Sequence, residues 1–224
     1  MAREDTDPPL GINRRPNAGE NRLSLQKKCR IARERDPAKR EAFLKQIEAI
    51  NPDDLVFLDE MGVSLALCLL YGWGKKGEDL IQEVASKRGK NLSVVGAFDS
   101  IGMICTKSQL GAMTRTDFER FLARDLLPLL TPGSVLVLDN ASIHKGGEIA
   151  ALIENAGCRL LYLPPYSPDF NPIELAWAFL KRIIRRIGPR DDVAREQALQ
   201  QAVEAIPETL AKACFRHCGY HQTI

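Results

Sequence analysis

The sequence predicts a mixed α/β sheet with helices packed on its faces. One observation is a series of short apolar runs that indicate buried strands, and a second is the helical spacing of apolar residues between those runs. A third is a hairpin, since "NLSVVGAFDS" and "GMICTKSQL" flank the turn Ser100-Ile101-Gly102. Taken together, these runs predict five strands.

Composition limits the classes of protein to which the chain can belong. Of 224 residues, 45% are hydrophobic and 27% are charged, which suits one sizeable core and excludes a disordered polypeptide. The 31 Lys and Arg nearly balance the 29 Asp and Glu, so any affinity for nucleic acid must come from local patches. Six scattered cysteines without a secretory signal predict a cytoplasmic protein with reduced thiols. No apolar run reaches the roughly 20 residues of a membrane span.

The chain is predicted to have two parts. Residues 1–35 are rich in Pro, Gly, Asn and charge and predict a basic, largely flexible N-terminal tail, whereas residues 36–224 predict a folded domain with C-terminal helices. The stretch from Arg22 to Lys45 holds nine Lys or Arg and three Asp or Glu. The domain opens with "DPAKREAFLKQIEAI", which predicts a helix that starts at Asp36 with Pro37 in its first position.

Strands and helices then follow one another along the domain. "LVFLDE" (55–60), "GSVLVLDN" and "CRLLYLP" predict buried strands, and the first two end in acid. "TRTDFERFLARDLLPLL" predicts a helix capped by Thr116, and "KGGEIAALIENAG" predicts a helix closed by Gly157. A long helix is predicted from Pro172 to about Ile187, and a further helix near 192–205.

Two aspartates close predicted strands. Asp59 ends "VFLDE" and Asp139 ends "VLVLDN", and ligands gather at the carboxyl ends of strands in open α/β sheets. Either residue alone is better explained as the solvated start of a loop, whereas two acids at the same end of parallel runs favour a metal site. Glu60 points to the opposite face of its strand from Asp59, so it is the weaker candidate.

A third carboxylate, Glu174, follows the proline-rich stretch "YLPPYSPDFNPIELAW". One interpretation is structural, because Asn171 suits the N-cap and Glu174 the third position of a capping box. The other is functional, because Glu174 shares a helix face with Lys181 and Arg185, away from the apolar stripe. That stripe contains Ala176, Phe179, Leu180, Ile183, Ile184 and Ile187.

Three such acids suit the breaking of a phosphodiester bond. The attacking and leaving oxygens both carry charge in the transition state, and two metal ions about 3.5–4 Å apart stabilise both. Hard cations such as Mg²⁺ take carboxylate oxygens as ligands, so no dedicated protein base is required.

The residues themselves suggest a family. "FLDE", "VLDNASIHK" and "LPPYSPDFNPIELAWAFLK" strongly resemble the catalytic domain of bacterial insertion-sequence transposases of the mariner superfamily, the insertion sequence 630 group. Members are DNA endonucleases with an Asp, Asp, Glu triad on an RNase H-like fold. The 34 residues between Asp139 and Glu174 are typical of the superfamily. The resemblance extends from about Asp36 to the end of the chain.

The resemblance implies an activity and its requirements. Asp59, Asp139 and Glu174 are implied to be the catalytic residues and the ligands of two Mg²⁺ or Mn²⁺ ions. The enzyme is implied to cut at transposon ends and to join the freed 3′-hydroxyl to target DNA, at a TA dinucleotide. The implied partners are double-stranded DNA and a second copy of the chain as a homodimer on DNA. The implied location is the bacterial cytoplasm, at the nucleoid when bound to DNA.

Further residues receive roles by the same resemblance or by their chemistry. His144 matches a histidine of the family and is expected near the metals, or else as a hydrogen-bonded residue at a helix start. Asn140 and Asn171 are expected to orient the carboxylates. Basic residues of the long helix are expected to contact the DNA backbone rather than to form only a solvated face, namely Lys181, Arg182, Arg185 and Arg186.

The chain also departs from the family. Full-length members carry N-terminal helix-turn-helix domains, whereas this sequence has at most a basic tail and one helix before its first strand. A separately encoded recognition domain is therefore a predicted partner, and the alternative function is a catalytically silent DNA-binding or assembly fragment.

Met61 stands where the family often has a small polar residue. A third, weaker alternative is an aspartate-dependent phosphatase, but "LDEMG" lacks the second Asp of such enzymes.

Three other features are open to two interpretations. "CFRHCGYH" suggests zinc through Cys214, His217, Cys218 and His221, but one tetrahedral ion would reach only two or three of these side chains on a helix. Tyr166 and Trp177 have the chemistry to stack on bases, although packing is the expected role of Trp177.

Overall fold

The structure is a computed structural model that describes residues 32–69, 73–79, 81, 89–141, 144 and 147–220. The described residues from Glu34 onward belong to one compact unit, Glu34–Ile224. Most of the predicted tail lies outside the described residues, as does His221, so the predicted boundary at residue 35 stays a prediction.

One mixed sheet organises the described part of the chain. Its strands are β1 (Leu55–Val63), β2 (Leu92–Phe98), β3 (Met103–Leu110), β4 (Val135–Leu138) and β5 (Arg159–Tyr162). Their order is β3-β2-β1-β4-β5. The first three strands form antiparallel pairs, and β4 and β5 continue the sheet in parallel. The predicted five-stranded mixed sheet and its hairpin are therefore confirmed.

Six α-helices connect and cover these strands within the described residues. They are α1 (Pro37–Ile47), α2 (Arg115–Arg120), α3 (Gly147–Asn155), α4 (Pro172–Ile187), α5 (Asp192–Glu204) and α6 (Glu208–His217). Predicted ends are confirmed at Asp36, whose carboxylate caps α1, and at Gly157, which adopts a positive φ after α3. No helix in the described part combines the length and apolar character that crossing a bilayer requires.

The two faces of the sheet bury two separate cores because side chains alternate along each strand. Phe57 packs on one face with residues of α1, α4, α5 and α6. Val56 and Leu58 pack on the other face with residues of α2 and α3. Helices therefore cover both faces, as predicted.

Three local expectations were wrong. β1 continues to Val63 through its pairing with β2, so Asp59 lies inside the strand rather than at its end. α2 is capped by Thr114, not Thr116, because Thr114 and Asp117 form a reciprocal capping box. Ile187 is exposed rather than part of the core stripe, in the last turn of α4 before the left-handed Gly188.

Candidate active site

Asp59 lies within β1, and Asp139 directly follows the neighbouring parallel strand β4. The register pairs Phe57 with Val137, two residues before each aspartate. Asp59 points to the face that carries α4, because side chains two residues apart along a strand share a face and Phe57 packs there. Neighbouring strands are about 4.8 Å apart. The prediction that the two carboxylates meet at one edge of the sheet is therefore supported by the register.

Trp177 of α4 fixes the carboxylate of Asp59. Its Nε1–H donates to Asp59 Oδ2 at 3.1 Å, and the residue is only 1% exposed. Gly96 of β2 pairs with Asp59 of β1. Because it has no side chain, it leaves room for the indole, whereas a Cβ at this position would lie 2.6 Å from the Trp177 ring. Trp177 packs as expected, but its hydrogen bond to Asp59 was not predicted. Because a buried indole N–H needs an acceptor, the sequence already contained a clue to this bond.

Glu174 reaches the site from the first turn of α4. Its side chain is exposed, and it lies on the turn that precedes Trp177. Asn171 occupies the N-cap, but its side chain makes no capping hydrogen bond to the helix. The capping box that offered a purely structural role for Glu174 is therefore not formed.

The three carboxylates line one cleft of about 440 Å³. The proline-rich loop between β5 and α4 forms another part of its wall, through Pro164, Pro165 and other residues. Burial, followed by the negative charge of Glu174, raises the pKa of Asp59 from 3.8 to about 7, and Asp139 adds to the effect. A carboxyl group surrounded by like charges is stabilised by a cation, so the electrostatics of this cleft favour a positively charged ligand.

His144 connects Asp139 to Glu60 on the opposite side of the sheet. Its Nδ1 lies 2.6 Å from Asp139 Oδ1, and its Nε2 lies 3.7 Å from Glu60 Oε1. The second contact is too long for a hydrogen bond. Burial lowers the pKa of His144, but the hydrogen bond to Asp139 and the negative charges of Asp139 and Glu60 outweigh it and raise this pKa to about 9. The imidazole ring also packs on Phe118, with centroids 4.4 Å apart.

The two asparagines differ in their contacts. Asn140 donates from Nδ2 to the carbonyl of Leu163 and so ties the end of β4 to the proline-rich loop. Asn171 is 3% exposed and lines the cleft, and its Oδ1 is buried without a hydrogen-bond partner. That oxygen is therefore an unsatisfied acceptor in the wall of the cleft. The predicted role of both residues in orienting the carboxylates stays a prediction.

The donor set of the cleft fits a hard divalent cation. Three carboxylates and one unpartnered amide oxygen offer the oxygen ligands that Mg²⁺ and Mn²⁺ prefer. Within the described ranges, no three His, Cys, Asp or Glu side chains already converge as a preformed metal cage. In the structure the indole of Trp177 engages Asp59, and the imidazole of His144 engages Asp139. Binding an ion thus requires these carboxylates to turn or to use their second oxygen.

The cations predicted to contact DNA lie on α4, the helix that also carries Glu174. Arg182 and Arg186 are exposed, while Lys181 and Arg185 are half-buried. The Arg182 guanidinium lies 5.2 Å from the centroid of the Phe179 ring. Their contact with DNA stays a prediction.

The zinc alternative gains no support from the described residues. Cys214 and Cys218 are buried as free thiols in the core beneath α4 and α6. No metal-binding group that includes them is found among the side chains that the structure describes.

A family model decides the classification. The model described as "DDE superfamily endonuclease" matches residues 54–194, a segment that contains Asp59, Asp139 and Glu174. The chain belongs to the DDE superfamily endonucleases.

Relatives of this DDE endonuclease are transposases. The Tc3 transposase of Caenorhabditis elegans is 27% identical over 187 residues, which are 80% of this chain and 57% of that protein. The Tcb1 transposase of Caenorhabditis briggsae is 29% identical over 138 residues, which are 58% of this chain and 50% of that protein. This DDE endonuclease therefore spans about half the length of the curated relatives that it matches.

Solved structures share the fold of this DDE endonuclease. A Mos1 transposase paired-end complex with the left transposon end matches with a TM-score of 0.69 at 17% identity, over 87% of this chain and 63% of that one. The catalytic domain of Mos1 mariner transposase matches with a TM-score of 0.59 at 14% identity, over 81% of this chain and 85% of that one. The RNase H-like fold expected from the sequence is thereby confirmed. Mos1 paired-end complexes have been solved with Mn and with Mg.

Proposed function

We propose that this chain is the catalytic domain of a transposase that cuts DNA at transposon ends and joins the freed 3′-hydroxyl to target DNA. The observation that carries the proposal is that carboxylates from three separate elements line a single cleft. These elements are β1, the loop after β4, and the first turn of α4. The similarity to transposases supports double-stranded DNA as the substrate.

Asp59, Asp139 and Glu174 would hold two Mg²⁺ or Mn²⁺ ions. Such ions stabilise the charge on the attacking and the leaving oxygen of a phosphodiester. The chain itself orients the ligands, because Trp177 fixes one oxygen of Asp59 and His144 fixes one oxygen of Asp139. The unpartnered Oδ1 of Asn171 would accept a hydrogen bond from a bound water or serve as a further ligand.

The proposed chemistry consists of two displacements at phosphorus. In the first, a water oxygen attacks the phosphorus at the transposon end and loses a proton to solvent, while the bond to the 3′-oxygen breaks and that oxygen takes up a proton from solvent. The products are a 3′-hydroxyl and a 5′-phosphate. In the second, the 3′-hydroxyl loses its proton to solvent as its oxygen attacks a phosphorus of the target strand, whose own 3′-oxygen leaves and takes up a proton from solvent. Both steps need the same stabilisation of two charged oxygens, so one site serves both.

The setting of the enzyme is part of the proposal. The chain would belong to the bacterial insertion sequence 630 group and act in the bacterial cytoplasm, at the nucleoid when bound to DNA. Lys181, Arg182, Arg185 and Arg186 would contact phosphates without reading sequence. A homodimer would pair two transposon ends.

A nicking assay on supercoiled plasmid tests the activity. We expect the protein to convert plasmid to nicked circles with Mg²⁺ or Mn²⁺ and to stop when EDTA is added. Asp139→Asn should lower the rate at least about 100-fold, since even groups that only orient metal ligands are worth about 10–100-fold. Asp54→Asn is the matched control, because Asp54 is an exposed acid at the opposite end of β1 and should leave the rate unchanged.

Metal binding has a readout that does not depend on activity. Trp177 lies beside Asp59, whereas Trp73 is fully exposed and is removed by Trp73→Phe. We expect Tb³⁺, which also prefers oxygen ligands, to luminesce on excitation of Trp177 and to lose this signal in Asp139→Asn. Nicking that survives Asp139→Asn would reject the triad. Well-folded protein that binds Tb³⁺ without nicking would instead favour the silent DNA-binding or assembly fragment.

A further inference from the structure

The loop between β5 and α4, residues 163–171, has two differently supported ends. Its start is joined to the sheet, because the N–H of Leu163 donates to Leu138 O at 2.8 Å and Asn140 donates to Leu163 O. Its far half, which leads directly into α4 and Glu174, is held by the N-terminal helix α1 and by the C-terminal Tyr220 instead.

Asp169 is the polar part of this attachment. Arg40 of α1 donates from Nη1 to Asp169 Oδ1 at 3.2 Å and from Nη2 to Oδ2 at 2.8 Å, so the pair is bidentate. Arg35 adds a third hydrogen bond, to Asp169 Oδ2 at 2.5 Å. Burial raises the pKa of Asp169, but the hydrogen bond and charge of Arg40 and the charge of Arg35 outweigh it and lower this pKa below its ordinary value.

Phe170 is the apolar part of the attachment. Its ring stacks on Phe43 of α1, with centroids 5.5 Å apart, and the Arg40 guanidinium lies 3.7 Å from its centroid. Its carbonyl accepts a hydrogen bond from Tyr220 Oη at 2.6 Å. Arg40 therefore binds both Asp169 and Phe170, and one side chain of α1 restrains two successive residues of the loop.

This attachment stands immediately before the helix that carries Glu174. Asn171 follows Phe170 as the N-cap of α4, yet its side chain supplies no capping hydrogen bond. The backbone of the first turn is thus located by the loop, through bonds such as Asn171 N–H to Pro168 O at 3.0 Å and Glu174 N–H to Asn171 O at 3.2 Å. A shift of the loop moves these residues together.

We propose that α1 is a positioning element of the active site: Arg40, supported by Arg35, sets the place of Glu174 through Asp169 and Phe170. Arg35 and Arg40 are suited to this role because both are already engaged with Asp169 within the molecule. The effect on metal binding rests on the proposed function, whereas the effect on the loop does not.

Two measurements on Asp169→Asn test the proposal separately. In metal-free protein, hydrogen exchange at the amides of Phe170, Asn171 and Glu174 should become faster. In a Trp73→Phe background, the Tb³⁺ concentration for half-maximal luminescence from Trp177 should rise about five-fold, the factor that corresponds to the upper range for a partly exposed ion pair. Glu41→Gln is the matched control, because it breaks the exposed Glu41–Lys45 pair on the same helix and should change neither value.

A double-mutant cycle decides whether the residues act as one unit. Arg40→Gln should produce the same two changes as Asp169→Asn, and the double variant should be no worse than either single variant. Additive losses, or exchange rates and Tb³⁺ binding equal to those of the parent, would overturn the proposal. If Arg40→Gln fails to fold, Arg40→Lys replaces it and should give a partial effect, because it keeps the charge but loses the bidentate fork. Failure of the parent to bind Tb³⁺ would refute the metal site, and the exchange rates would still judge the role of α1.

Discussion

Asp59 and Glu60 are neighbours on β1, but the two faces of the sheet give them opposite surroundings. Asp59 faces a cleft that it shares with two further carboxylates, and its pKa is raised to about 7 by burial and by their charges. Glu60 faces His144, whose pKa is raised to about 9 by the acids around it. The face of Asp59 therefore gathers three carboxylates around one cleft, where the imidazole of His144 contacts only Asp139, whereas Glu60 on the other face lies beside that imidazole alone.

This difference separates a binding site from a structural contact. Burying a charge beside like charges destabilises the fold, so it persists where a ligand provides the compensation. Burying a charge beside an opposite charge needs no ligand. Acidic residues at adjacent positions thus serve two purposes, and a substitution on one face should affect the other face only through His144.

The largest expected difference is between Asp59→Asn and Glu60→Gln. Asp59→Asn should lower metal-dependent nicking at least about 100-fold, because it removes a proposed metal ligand. Glu60→Gln should lower it less than about ten-fold, because Glu60 reaches the cleft only through His144 and Asp139. Plasmid nicking rates at saturating Mn²⁺ measure both. Equal losses in the two variants would show that the faces are not functionally distinct.

The second prediction concerns the pH dependence of stability in EDTA. The folded pKa of Asp59 lies above its ordinary value of 3.8, so the free energy of unfolding should fall as the pH rises from about 4 to about 7. The folded pKa of His144 lies above 6.5, so its contribution should be present below that pH and should be lost as the pH rises towards 9. Each change is at most about 4 kcal/mol, because a tenfold difference in proton affinity between the folded and unfolded states corresponds to about 1.4 kcal/mol.

Two variants test which residue causes each fall in the free energy of unfolding. Asp59→Asn should flatten the profile between pH 4 and 7, and His144→Gln should flatten it between pH 6.5 and 9. Urea unfolding at a series of pH values, followed by circular dichroism, measures the profiles. A profile that keeps its lower slope in Asp59→Asn would mean that another group titrates there.

A smaller effect is expected for Gly96→Ala, which acts on the Asp59 face alone. The added Cβ would lie 2.6 Å from the Trp177 ring, so the indole must move and its hydrogen bond to Asp59 must lengthen. Overpacking of this kind costs about 1–3 kcal/mol. Thermal unfolding should show this loss. Gly102→Ala in the hairpin turn is the comparison, because nothing lies near its added Cβ and any loss of stability there comes from backbone strain rather than from crowding of a ring.

The smallest effect is expected for Trp177→Phe. The ring is largely retained, but the donor to Asp59 Oδ2 is lost, at a cost of about 1 kcal/mol. Because this hydrogen bond lowers the pKa of Asp59, its loss should move the lower pH range of the stability profile upward. An unchanged profile in Trp177→Phe would contradict the hydrogen bond.

The candidate site could be predicted from the sequence where local rules decide it. The acids after apolar runs predicted Asp59 and Asp139, and the proline-rich approach to an acidic first turn predicted Glu174. Local rules misplaced the end of β1, because its last residues are held by β2, a partner some thirty residues later in the chain. They also could not choose between a capping box and a functional role for Glu174, since both place the same residue at the same helical position.

The sequence by itself determined the class of the fold, the positions of most helices and strands, and the three acids with their family, because hydrophobic periodicity, caps and long motifs act over short distances along the chain. Only the tertiary structure decided which groups meet. The indole of Trp177 on Asp59, the imidazole of His144 between Asp139 and Glu60, and the guanidinium of Arg40 on Asp169 each join residues from different elements. Such contacts depend on register and packing between distant segments, which no local pattern specifies.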